Sequence, residues 1–394
     1  MRGRKATISK KKIGMIVFGE TNTGKSTTAL DFSLLKREDG KPMRLMYIDC
    51  ETGSVDMFFE KYARQGVDLG NIYVIDTQSL KELESVLDKV RNHEPLYEFD
   101  EDGYMTDQIV YDADNEVFHP DVIVVDGASV LHMAKSQALV EMSKMRNKVK
   151  ADASELTGDA RTVKIEGAGL ELKDYNTLKF EGQNLILNLM SLDTHYIVTC
   201  RETDEKVQKI ITDAKGQPNT VSVPTGRKTF DGFKGIDYNA NIVWRMFLNE
   251  DDQVCARVIK DRTELHRKGE IIVDPSILEY QQVLNANKGK KDVVIKNSLN
   301  DSVQIEQELY IKEFESQPQT TTETKEVEQS KTVNNIDELK KSILQEQKKL
   351  DTTTKGLVKQ KLMANNLPLT YAKITDEEVL QEVLKVIENV KQQG

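Results

Sequence analysis

Residues 19–26 read Gly-Glu-Thr-Asn-Thr-Gly-Lys-Ser and fill every fixed position of the pattern G-x-x-x-x-G-K-[ST]. A β-forming run, Gly14–Phe18, precedes them, and Thr27–Leu35 continues with helical character. No other feature limits the fold as strongly, because the chemistry of this loop needs the order strand, turn, helix. Glycines let backbone N–H groups curl around phosphate oxygens, and the helix N-terminus adds partial positive charge. Lys25 then reaches the β and γ phosphates of a nucleotide, and the Ser26 hydroxyl ligates Mg2+. The competing reading is a glycine-rich turn with a surface lysine; the flanking strand and helix argue against it. Gly19, Glu20, Thr21, Asn22, Thr23, Gly24, Lys25, Ser26 and Thr27 are therefore the expected nucleotide contacts.

Downstream, short β-branched runs alternate with helical patterns. The strand runs are Arg44–Asp49, Ile72–Ile75, Val122–Asp126, Tyr196–Cys200, Ile242–Phe247 and Ala256–Lys260. Between two of them Leu131, Ala134, Ala138, Met142, Met145 and Val149 recur at steps of three and four, the spacing of an amphipathic helix. Strands alternating with helices predict βαβ units and a parallel sheet covered by helices on both faces, an α/β core over residues 13–284.

Three stretches break this rhythm. Residues 91–119 carry nine acids against one arginine, net −8, and read as an inserted acidic hairpin. Residues 203–238 are rich in Gly, Thr and Lys and are expected to form a long mobile loop. Residues 285–335 fill with Gln, Thr, Glu, Asn and Lys and are expected to be a disordered linker. Beyond it, residues 336–394 recover helical patterning. Leu339, Ile343 and Leu350 mark one helix, and Leu357, Val358 and Leu362 a second. A third, capped by Asp376, carries Val379, Leu380, Val383, Leu384 and Ile387. A helical module on such a tether suits docking of a protein partner.

Composition sharpens this division. The 394 residues allow two or three domains at roughly 100–200 residues each. Hydrophobic residues are 38% and charged ones 30%, as expected when a polar linker dilutes an ordinary core. The net charge of −10 counts against a chain coated in basic residues, but the acidic insert supplies most of it. Cys50, Cys200 and Cys255 show no CxxC spacing, so a reducing cytoplasm is the expected compartment and no zinc site is expected. The tail 1–12 is basic but no apolar signal core follows it, and no run of about 18 apolar residues suggests a membrane partner.

Several polar strand ends can complete a phosphate site. Asp126 ends a buried run and suits the carboxylate that holds the Mg2+ shell at the carboxyl end of a sheet. Asp49 and Glu51 both follow the next strand, and either can orient an attacking water or cap a turn. Thr199 and Arg201 end another buried strand and can sense a γ-phosphate or simply terminate it. Lys260 and Arg262 lie two apart, sharing a strand face or pairing with Asp261 or Glu264.

Taken together, the motifs GETNTGKST at 19–27, YIDCET at 47–52, VIVVD at 122–126, IVTCRE at 197–202 and VIKDRT at 258–263 resemble the RecA/RadA-like ATPases. The resemblance covers residues 10–280. It is nearest to the short bacteriophage members that work in single-strand annealing and recombination, and it places a phage-encoded chain in the host cytoplasm. It implies a RecA-like P-loop NTPase core, ATP and Mg2+ as cofactors, and DNA-dependent ATP hydrolysis. The catalytic glutamate of the family falls on Glu51, its Walker B aspartate on Asp126, and its polar sensor near Thr199 and Arg201. The cations that reach into a neighbour's ATP site fall on Lys260 and Arg262. A ring or other homo-oligomer follows from that trans arrangement. The DNA-contacting loops of the family fall on 150–173 and 203–238. The second holds Lys206, Lys209, Arg227, Lys228 and Lys234 with Phe230 and Phe233, cations for phosphates and aromatics for stacking on single-stranded DNA. An annealing or loading protein with little turnover and a hexameric helicase motor are the alternative functions.

Overall fold

The computed structural model describes residues 5–100, 102–212, 218–294, 297 and 299–316. In the C-terminal part it describes 339–340, 342–343, 346, 357–358, 361–362, 364–365, 367 and 377–392. The described elements run β1 (Gly14–Gly19), α1 (Lys25–Leu30), β2 (Leu45–Asp49), α2 (Asp56–Arg64), β3 (Ile72–Asp76), α3 (Leu80–Arg91), β4 (Tyr97–Phe99), β5 (Met105–Ile109) and β6 (Val122–Asp126). They continue with α4 (Ala128–Ala153), α5 (Gly158–Glu166), α6 (Leu172–Ser191), β7 (His195–Thr212), β8 (Pro218–Phe230), β9 (Ile242–Leu248), β10 (Val254–Asp261), β11 (Ile271–Val273), α7 (Gln281–Asn285), α8 (Leu299–Ser316) and α9 (Glu377–Gln392).

One sheet organises the first of two compact units, Met1–Glu306. Its order is β11-β10-β9-β1-β7-β6-β2-β3, with β8 paired to β7 alone. The pairs from β9 through β3 are parallel, and β10 and β11 extend one edge antiparallel. Strands buried on both faces read as unbroken apolar runs, and period-2 alternation then shares them between two cores. Ile16, Phe18, Met46, Ile48, Ile123, Val125 and Val198 enter one core; Met15, Val17, Leu45, Tyr47, Val122, Val124 and Ile197 enter the other. This is the expected α/β fold.

Some expectations change. Residues 203–212 and 218–230 are not a loop. β7 runs on to Thr212, and β8 pairs with it antiparallel from Thr212↔Pro218 to Glu202↔Phe230, with a bulge between Asp204 and Lys206. Thr203, Val207, Ile210, Val221 and Val223 give this polar ribbon its strand propensity, and residues 213–217 lie outside the described residues. The stretch 150–173 is the end of α4, α5 and the start of α6. Within the stretch expected as a linker, Leu299–Ser316 is helical, and the second unit begins at Gln307; residues 317–335 lie outside the described residues. The acidic insert contains the β4–β5 hairpin. The helix expected from its apolar stripe is α4, yet Met142, Met145 and Val149 are exposed. In the second unit Ile343, Val358, Leu362, Leu380, Val383, Ile387 and Val390 share a small core. The Asp376 cap and Leu350 lie outside the described residues.

The basic tail is partly structural. Lys10 pairs with Glu38 at 2.8 Å and Lys12 with Asp193 at 2.7 Å; Arg2 and Arg4 lie outside the described residues. Nearby, Nδ1 of His195 accepts the Ile13 N–H at 2.9 Å, which requires a neutral ring. Burial, aided by Lys12, pushes the His195 pKa down to about 4. The unfolded chain, with a histidine near 6.5, binds the proton more readily. Stability is thus full above about 6.5 and lost as pH falls toward 4, on the order of 2 kcal/mol for this partly exposed ring. Urea denaturation of wild type and His195→Gln at pH 7.0 and 4.5 checks this. The variant should lose less stability between the two pH values than the wild type does.

Candidate active site

The first helix begins only after a sharply turned loop. Asn22 and Gly24 adopt left-handed conformations, with φ of 60° and 80°. Thr23 is buried and its hydroxyl donates to the carbonyl of Glu20 at 2.8 Å, closing the loop on itself. The Lys25 ammonium folds back to donate to the carbonyls of Gly19, at 3.1 Å, and Glu20. Burial lowers its pKa, against the opposing fields of Asp126, Glu51 and Glu202. Lys25 is thus partly desolvated and surrounded by acids, a charge placed where an anion would meet it.

Strand register brings the other groups to the same end of the sheet. Asp49 lies opposite Asp126, and Val125 opposite Val198, which sets Asp126 beside Thr199. Asp126 is 3% exposed, and both carboxylate oxygens are taken. The Tyr47 hydroxyl donates to Oδ2 at 2.6 Å, and the Thr199 hydroxyl donates to Oδ1. The Gly127 N–H in turn donates to the Thr199 hydroxyl at 2.8 Å. Burial, with the charge of Asp126, drives the Tyr47 phenol pKa far up, so it stays a donor. Gly127 has φ of 92°, and a Cβ there would lie 2.8 Å from Cγ of Glu51, so a side chain would press on that carboxylate.

Asp49 and Glu51 separate cleanly. Asp49 is fully buried and accepts from the N–H groups of Glu51, at 2.8 Å, and Val55, at 3.3 Å, so it shapes the loop. Glu51 faces the cavity instead. Its Oε1 accepts from Nη2 of Arg201 at 2.8 Å. Residues 21–27, Glu51, Asp126, Thr199 and Arg201 line a cavity of about 580 Å³ at the carboxyl ends of the strands. Cys200 also lines it, but burial raises its thiol pKa to about 12.

Lys260 and Arg262 do not join this cavity. β10 runs antiparallel, so Lys260 pairs with Val243 and the Arg262 N–H donates to the carbonyl of Asn241, whereas Met246 pairs with Gly19. That places the two cations roughly 10 Å (Lys260) and 17 Å (Arg262) along the sheet from the phosphate loop. The Lys260 ammonium donates to the carbonyls of Asp237 and Tyr238, each at 2.9 Å. Asp261 holds Thr263 and Tyr280 rather than these cations.

The residues expected to meet DNA divide. Lys206, Lys209, Arg227 and Lys234 are exposed. Lys228 is engaged, 3.0 Å from Asp204 and 3.8 Å from Glu202. Phe233 is 1% exposed, packed edge-on to His132 at 5.1 Å and against Gly182, so it is a core residue and not a stacking platform. Phe230 is half-buried against Phe18. Sequence reasoning missed Tyr47 and Gly127; both sat inside or beside quoted motifs, but nothing local showed what they touch.

The sheet places the Asp126 strand apart from the phosphate-loop strand, with the Thr199 strand between them and helices on both faces. This is the mainly parallel α/β core that the sequence predicts. Among solved structures the chain is similar to a KaiC-like protein from the hyperthermophilic archaeon Pyrococcus horikoshii, at 12% identity and a TM-score of 0.34, over 68% of this chain and 91% of that one. No family model and no curated protein matches. At that distance the functional reading rests on the residues of this chain. Among the described residues no helix is long and apolar enough to cross a membrane.

Tyr47→Phe removes one donor from the buried Asp126 carboxylate. It should lower stability by about 1–3 kcal/mol in urea denaturation, with the fold retained by circular dichroism.

Proposed function

We propose that this chain binds ATP with Mg2+ at residues 19–27 and hydrolyses it. The observation that carries the reading is the convergence of Lys25, Glu51 and Asp126 on one cavity at the carboxyl end of a parallel sheet. The donor set fits the ion: the Ser26 hydroxyl and the Asp126 carboxylate, the latter held by Tyr47, are hard oxygens lining one cavity, and these two residues would hold Mg2+. When bound, the ion neutralises phosphate charge. Turned-in N–H groups and Lys25 orient the phosphates, and Glu51 takes the proton of an attacking water. Thr199 fixes Asp126, and Arg201 sits where it can exchange Glu51 for a γ-phosphate. Lys260 and Arg262, remote from their own cavity, act on a neighbouring copy in a ring or other homo-oligomer. Single-stranded DNA is the proposed second ligand, along the exposed cations of the β7–β8 ribbon, in phage-type recombination, annealing or replication in the cytoplasm. The C-terminal module is proposed to dock a protein partner.

Lys25→Ala should abolish ATP binding. Glu51→Gln should bind ATP with near wild-type affinity yet lose turnover by about 100-fold or more, in line with the loss of a general base. ATP hydrolysis with and without single-stranded DNA, beside a mass measurement with ATP, tests both the DNA dependence and the oligomer. Normal turnover in Glu51→Gln would sink the assignment.

One observation favours the reading as an ATP-regulated annealing or loading protein with slow turnover: the Glu51–Arg201 ion pair ties up the proposed base. Arg201→Ala should then raise basal ATP hydrolysis several-fold. Unchanged or lower hydrolysis in that variant would remove this second reading.

A further inference from the structure

Where β1 turns into the phosphate loop, two strands bracket it. Gly19 lies opposite Arg201 of β7 and Met246 of β9, and Phe18 opposite Cys200 and Arg245. The approach is close: a Cβ on Gly19 would lie 2.0 Å from the carbonyl oxygen of Met246. By strand alternation Arg245 shares the face of Phe18, and its side chain reaches across β1. Its Nε donates to Oε2 of Glu202 on β7 at 2.9 Å. Its Nη2 lies 3.7 Å from Oε1 of Glu20, the second residue of the phosphate loop.

Glu202 has only 8% of its side chain exposed, so neighbours rather than water stabilise its charge. Lys228 of β8 lies 3.8 Å away and pairs in turn with Asp204 at 3.0 Å. Charges therefore run without a gap from Glu20 through Arg245, Glu202 and Lys228 to Asp204. One end is the phosphate loop and the other is the root of the β7–β8 hairpin. That root also packs on β1, with Phe230 edge-on to Phe18 at 5.9 Å. A planar guanidinium with five donors can hold two carboxylates at once, which a lysine holds less well.

We infer that Arg245 is a positioning residue that carries nucleotide occupancy of the phosphate loop to the root of the β7–β8 hairpin. Phosphate charge entering the loop repels Glu20 and draws the guanidinium toward the loop. Glu202 loses part of its compensation, leans on Lys228, and the two strands of the root readjust. The inference rests on ATP binding as proposed above and does not depend on what the hairpin binds.

The test is hydrogen exchange of the full chain, with and without a fluorescent non-hydrolysable ATP analogue plus Mg2+. Binding is followed separately by titration. In the wild type the analogue should change exchange at residues 202–206 and 224–230 by about fivefold or more, within the usual range of site-to-site coupling. In Arg245→Gln the analogue should still bind while the hairpin response is lost, and Arg245→Lys should restore part of it. Glu20→Gln, compared at an analogue concentration where the titration shows it saturated, cuts the other end without touching the sheet and should give the same loss. The double variant should lose no more than either alone. If melting shows Arg245→Gln to be unfolded, Glu20→Gln decides alone. A full hairpin response in a folded Arg245→Gln or in Glu20→Gln overturns the inference, as does a wild type that binds the analogue with no hairpin response. A wild type that fails to bind the analogue overturns the ATP reading itself, and the titration shows that independently.

Discussion

A carboxylate buried at the end of a central strand has to find donors inside the protein, because so little of it meets water. Asp126 finds them on the strands at either side: Tyr47 of β2 and Thr199 of β7. The same three strands are held by their backbone ladders, so side-chain and main-chain bonds demand one register. That register sets Glu51 and Arg201 on either side of the cavity mouth, each two residues beyond a buried polar anchor. Packing of the core and placement of the site are therefore one requirement. The phosphate loop joins it at the cavity, which Ser26 and Asp126 both line.

Charge is divided between two tasks. Buried or half-buried ions hold structure: Asp49 shapes the turn that presents Glu51, Lys12 ties the N-terminal segment to Asp193, and Arg44 lies between Asp112 and Asp121. Exposed ions remain for encounter, chiefly the cations of the β7–β8 ribbon and the acids of the β4–β5 hairpin. The net charge of −10 thus describes neither surface by itself. What matters to a ligand is the field near the cavity, where Lys25 stands among three acids.

Much of the sheet was legible because its strands are buried on both sides and so appear as uninterrupted β-branched runs between helical periods. The hairpin was not, since a ribbon exposed on both faces carries polar residues and resembles a loop in composition. Phe233 was misread for a related reason. It stands among cations in the chain, yet Gly182 of α6 leaves the space that its ring fills. The stripe at Met142, Met145 and Val149 errs in the opposite direction: its periodicity correctly marks a helix but does not bury it.

By itself the sequence determined the phosphate loop, the strand-and-helix alternation and therefore a parallel α/β core, because these depend on spacing over a few residues. Only the tertiary structure buried Asp49 in the turn and set Glu51 at the cavity, gave Asp126 its two donors, sent Lys260 and Arg262 to the far end of the sheet, and joined Arg245 to Glu20 and Glu202. Those outcomes depend on strand order. β7 lies between β1 and β6, although five strands separate it from β1 along the chain, and no local pattern encodes which distant strands become neighbours.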